Sequence, residues 1–165
     1  MDIRKVDFRY IFTYFMRCNY VFVILIGIIA AILCAFAKEI MMALWFLVVF
    51  IGGYIIPLSL HEYMHVYAMR RCNVQTVSIE NYLWKVSVKT NEKIQGKKLI
   101  LVALSGPCVC FLIGALLLPI WKITGIFVIK ILAYMYMIHI INIVPPFGDG
   151  VMILKGVLTR GDYEC

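Results

Sequence analysis

Long apolar runs separated by short charged segments organise this chain. Four runs stand out, at about residues 20–37, 40–69, 99–121 and 123–144. The shortest, Tyr20 to Ala37, is roughly 27 Å long as a helix, close to the roughly 30 Å of a bilayer's hydrocarbon layer. The second starts at Ile40, after a tight turn at Lys38-Glu39, and continues past Pro57 and His65. The third carries Ser105-Gly106-Pro107 and Pro119, and the fourth stops at Pro145-Pro146. Beyond it, Gly150 to Leu158 is expected to form a short helix that re-enters or lies on the inner surface.

Between the second and third runs the period changes. Gln75, Val77 and Ile79 alternate with Thr76, Ser78 and Glu80; Tyr82, Trp84, Val86 and Val88 alternate with Leu83, Lys85, Ser87 and Lys89. Period-two alternation predicts a hairpin of two strands over about 74–90, with its polar break at Glu80-Asn81.

Composition sharpens this picture. The chain is 64% hydrophobic and 15% charged, with a mean hydropathy of +0.93. Soluble domains hold about 45–50% apolar and about 25% charged residues. The expected fold is therefore an all-α polytopic membrane protein of about four transmembrane helices with a small membrane-surface β-hairpin, one domain across residues 1–165. Ala35-Phe36-Ala37 mimics a signal-peptidase site, but the first run is longer than a signal core of roughly 7–15 residues, so a retained helix is expected.

The net charge of +7 does not mark a nucleic-acid binder, because the charges alternate with the runs. Arg4, Lys5, Arg9 and Arg17 precede the first run. Arg70, Arg71, Lys85, Lys89, Lys93, Lys97 and Lys98 lie between the second and third, and Lys155 and Arg160 follow the last. This is the positive-inside pattern, and it predicts both termini in the cytosol. Cys18, Cys72 and Cys165 fall in those basic, reducing segments, and all six cysteines read as small apolar fillers rather than a disulfide framework.

His61-Glu62-Tyr63-Met64-His65 is an H-E-x-x-H sequence on a predicted helix. Histidines four apart share one helix face and can reach one Zn²⁺, while the glutamate beside them can act as general base. Ionisable residues at the end of an unbroken apolar run are costly and point to function. A hydrolytic zinc site needs a third protein ligand. Asp149 is the best candidate by position, although its Asp-Gly setting also suits a helix N-cap or a turn. His139 reads as a packed or hydrogen-bonded helix residue.

Taken together, His61-Glu62-x-x-His65, Ser105-Gly106-Pro107 and Asn142-x-x-Pro145-Pro146-x-Gly148-Asp149-Gly150 resemble the site-2 protease family of intramembrane zinc metalloproteases, in a minimal core form with one extra N-terminal span. The resemblance covers the second to fourth runs. It implies His61, His65 and Asp149 as zinc ligands, Glu62 as the base, and a substrate-holding role for Asn142, Pro145 and Pro146. Gly106-Pro107 matches the family's helix break, an architectural feature. Gly148 stands where the family commonly has leucine, and Cys72-Asn73 where it often has glycine.

The expected activity is hydrolysis of a peptide bond in or near a transmembrane segment, towards the cytosolic leaflet. The substrate would be a membrane protein or a peptide precursor. The hairpin offers a strand edge onto which an unwound segment could add. The expected location is a bacterial cell membrane. The alternatives are a metal-binding membrane transporter and a non-catalytic membrane scaffold.

Overall fold

The structure is a computed structural model that describes residues 1–37, 40–82 and 85–159. Three segments fall outside the described residues: the turn at Lys38-Glu39, the Leu83-Trp84 connection, and the tail that carries Arg160 and Cys165. The architecture is mostly helical with one two-stranded sheet. Helices α1 (Phe8–Cys18), α2 (Tyr20–Ala37), α3 (Ile40–Phe50) and α4 (Ile56–Arg71) precede strands β1 (Ser78–Tyr82) and β2 (Lys85–Lys89). Helices α5 (Gly96–Thr124), α6 (Phe127–Met137) and α7 (Gly148–Leu158) follow.

Among the described residues, three helical stretches are long and apolar enough to cross a membrane: Ile40–Arg71, Gly96–Thr124 and Phe127–Leu158. A fourth arises only if α1 and α2, bent by 74° from each other, are taken together. The first stretch joins α3 to α4 through a π-helical turn, Ile51–Ile55. Pro57 explains that turn: it has no N–H to donate and its ring crowds the preceding carbonyl, so the ladder widens just before it. The last stretch combines α6, a 3-10 turn at Ile138–Ile143 and α7, with a break at the cis Pro145-Pro146 bond. The tail helix expected from Gly150 thus begins two residues earlier, at Gly148. Helix α5 extends beyond the expected run, starting at Gly96 and ending at Thr124, where a left-handed Gly125 caps it.

Two features depart from the sequence expectations. Residues 8–18 form a helix rather than a charged leader. The Asp7 carboxylate caps it by accepting from Tyr10 N at 2.7 Å. Ile11 and Phe15 are buried while Arg9 and Arg17 lie outside, the apolar-stripe pattern of a surface helix. The hairpin does not break at Glu80-Asn81, because both residues pair within the ladder, Glu80 with Ser87 and Asn81 with Val86. The strands instead run on to Tyr82 and resume at Lys85.

The hairpin, the N-terminus and the end of α4 close one end of the bundle. Ile3 N donates to Gln75 O at 2.9 Å, and Val77 N to Met1 O at 3.0 Å. The Arg70 guanidinium donates to Ile3 O at 2.9 Å and Val6 O at 2.7 Å. Beneath these bonds Ile3, Val6, Ile11, Val66, Met69, Val77 and Val88 form a buried core. At the other end, Lys130 sits inside an apolar stretch, a charge the basic-flank pattern leaves out. Its ammonium lies 4.6 Å from the Trp121 ring centre, a cation–π contact.

Candidate metal centre

The site forms where α4, α5 and α7 meet. On α4, His61, Glu62 and His65 are all buried. One helical turn brings the two imidazoles together, their Nε2 atoms 3.1 Å apart. Asp149 arrives on the first turn of α7, with one carboxylate oxygen 3.0 Å from His61 Nε2 and the other 3.3 Å from His65 Nε2. The residue capping α7 is Phe147, with no side-chain cap bond, so the Asp149 carboxylate is committed to the imidazoles and not to the helix end.

Helix α5 sets the orientation of His65. His65 Nδ1 donates to Val102 O at 2.7 Å, which places the ring proton on Nδ1 and leaves a lone pair on Nε2. The Ser105 hydroxyl donates to the same carbonyl at 2.7 Å and lies 3.0 Å from Met64 O, tying α5 to α4. Gly106 is what lets the helices approach. A Cβ at this position would sit 2.8 Å from His61 O and 2.9 Å from His65 Nε2. The Ser105-Gly106-Pro107 segment is therefore part of the site's wall, and the break expected there is not seen, because α5 runs on through Pro107. Gly150 serves α7 in the same way, since a Cβ there would sit 2.6 Å from Pro145 N.

Two imidazole lone pairs and a carboxylate facing one another repel unless something positive lies between them. The donor spacings of 3.0–3.3 Å are close to the ~3.3 Å edge of a tetrahedron with ~2.0–2.2 Å metal–ligand bonds. The ligating atoms of His61, Glu62 and His65 also lie within 4.8 Å of one another. These residues could hold a metal ion, and two nitrogens with a carboxylate suit a borderline divalent cation.

Glu62 is held by a group that sequence reasoning missed. Val88 N donates to Glu62 Oε2 at 3.0 Å. Opposite Val88 stands Ile79, and in an antiparallel ladder only non-hydrogen-bonded pairs turn their amides outward. The outer edge of β2 therefore faces the site and spends one amide on the carboxylate. The alternation in sequence shows which side chains share a face, but not which edge of the hairpin meets a helix.

A cavity of about 700 Å³ opens beside these groups, bordered by Glu62, His65, Asp149, Val88, Leu99 and Met152 among others. Asn142 is half-buried in the 3-10 turn, Pro145 and Pro146 are exposed, and none of the three borders this cavity. His139 is buried, as expected of a packed residue, with its ring 5.2 Å from that of His61. Cys110, also buried, joins His61 and His139 in a set whose ligating atoms lie within 4.8 Å.

No family model, curated protein or solved structure matches the chain. The reading of this site rests on its own geometry.

Proposed function

We propose that the chain is an intramembrane zinc metalloprotease of the site-2 protease type, cutting a peptide bond in or near a transmembrane segment of a membrane protein or peptide precursor. The observation that carries this reading is the convergence of His61, His65 and Asp149 from two helices far apart in sequence, with Glu62 between the histidines. A metal-storing or transporting site has no use for an acid between its ligands; a hydrolase does.

His61 Nε2, His65 Nε2 and the Asp149 carboxylate would hold the zinc. When bound, zinc supplies Lewis acidity, lowering the pKa of a coordinated water towards neutrality. Glu62 takes the proton of the attacking water and passes it to the departing amide nitrogen. The Val88 amide keeps the Glu62 carboxylate aimed into the cavity while leaving its second oxygen free. A helical substrate bond is shielded by its own hydrogen bonds, so it must unwind first, and the polar wall of the cavity receives the freed backbone groups. The basic residues at the closed end of the bundle favour the cytosolic side for this chemistry, in a cell membrane with both termini inside.

Glu62→Gln is the decisive variant. Co-expressed with a single-span membrane protein that the wild type cleaves, it should keep its zinc and lose at least 10²-fold in turnover. Asp149→Ala should lose both zinc and cleavage. Normal turnover by Glu62→Gln would refute the mechanism, and metal bound without any cleavage by the wild type would favour a binding or transport role.

A further inference from the structure

The two metal-facing imidazoles are supported unequally. His65 gives its Nδ1 proton to the Val102 carbonyl. His61 Nδ1 is buried without a hydrogen-bond partner, and so is His139 Nδ1. Histidines that bind metal through one nitrogen almost always donate the other N–H to an acceptor, which fixes the tautomer and the ring's direction. A buried imidazole N–H with no acceptor also forfeits its solvation.

Two side chains beside His61 could receive this proton. The Cys110 thiol already donates to Pro57 O at 3.5 Å, and its sulfur is a weak acceptor. His139 is 8% exposed, its ring tilted 40° to that of His61 at 5.2 Å. In its neutral form it carries one nitrogen lone pair, the stronger acceptor of the two. The ligating atoms of the set lie within 4.8 Å, a span that a small ring rotation or one shared water closes.

We propose that His139 is the positioning residue of the metal centre, its imidazole receiving the His61 Nδ1 proton so that His61 Nε2 faces the metal. This deepens the metalloprotease reading and rests on it. His139 touches neither metal nor substrate in this role; it acts through His61.

The chain has only three histidines, which makes the test direct. Purified full-length wild type, His139→Leu and His139→Gln would be titrated with Co²⁺ alone against a chelator, recording the visible d–d bands. Wild type should bind one Co²⁺. His139→Leu should bind it 10–100-fold more weakly with altered bands, and His139→Gln, which restores an acceptor, should recover most of the affinity and the spectrum. In the zinc-bound wild type labelled with ¹⁵N-histidine, the His61 Nδ1 proton should appear as a hydrogen-bonded signal protected from exchange. That measurement decides the matter should His139→Leu fail to fold. Wild-type affinity and bands in His139→Leu, or a freely exchanging His61 Nδ1 proton, would overturn the proposal while leaving the protease reading intact. A wild type that binds neither cobalt nor zinc would remove both.

Discussion

The helical stretch from Ile40 to Arg71 reverses the usual rule of burial halfway along its length. In its first half, Ile40 and Met41 are 65% and 57% exposed, and Leu44, Trp45 and Val48 are exposed as well. In its second half, Ser59, His61, Glu62 and His65 are buried, Glu62 to within 8%. Exposed apolar side chains are at ease only against an apolar surround, and buried charges persist only where they are paired or bind a metal. The contrast separates an exposed apolar face from a buried polar cluster on one continuous stretch.

The largest change should come from putting a charge on the exposed half. Val48→Arg should cost about 2.5–3.5 kcal/mol if Val48 lies near the centre of a bilayer, lowering the insertion equilibrium constant roughly 100-fold. Carbonate extraction of membranes would measure it. An inserted fraction equal to wild type would mean that the exposed face does not meet lipid. Next comes the buried half: Gly106→Ala drives a methyl group against His65 Nε2 and should weaken Zn²⁺ binding about 10-fold or more, read by chelator competition, with insertion unchanged.

A smaller effect is expected at the hairpin. Val88→Pro removes the amide that holds Glu62 but no bond of the β1–β2 ladder, and should lower turnover up to about 10-fold with zinc retained. Val86→Pro, on the same outward register but without a bond to Glu62, serves as the control. Equal losses in the two variants would assign the effect to the strand and not to the base.

How far the sequence carried differs between the two halves for a physical reason. The apolar runs are written locally, residue after residue, so four helical segments and their approximate ends are legible. H-E-x-x-H is also local, because one helical turn suffices to align it. The contact of Asp149 with both histidines spans about half of the chain and could be inferred only by elimination and resemblance. Three determinants left no sequence signal that could be read. Val102 contributes a carbonyl and Val88 an amide, and the backbone carries no residue identity. His139 looked like any packed helix histidine, since nothing local tells that its Nδ1 lies unpartnered beside His61. The amphipathic helix at Phe8–Cys18 was hidden because its aromatic and arginine residues resemble a basic flank, although the Asp7 cap three residues before Tyr10 was a usable sign.

The smallest effect tests the loop that links the hairpin to α5 and borders the cavity. The Glu92 carboxylate accepts from Thr76 N at 2.7 Å, the Thr76 hydroxyl at 2.9 Å and Gln75 N at 2.9 Å. Bonds to the ionised form, those from Thr76 foremost, hold its pKa below the ordinary glutamate value. The sign follows: ionised Glu92 helps the folded state at any pH above the unfolded value, and this help fades as pH falls through the lowered folded value. Glu92→Gln keeps the shape and loses the charge. At neutral pH it should loosen the segment from Thr90 to Gln95, seen as faster amide exchange at Gln75 and Thr76 with zinc content unchanged. As pH falls below the lowered folded value, wild type and variant should converge, because protonation then does to Glu92 what the substitution has already done. A gap that stayed constant with pH would mean that the carboxylate's charge contributes nothing to holding the loop.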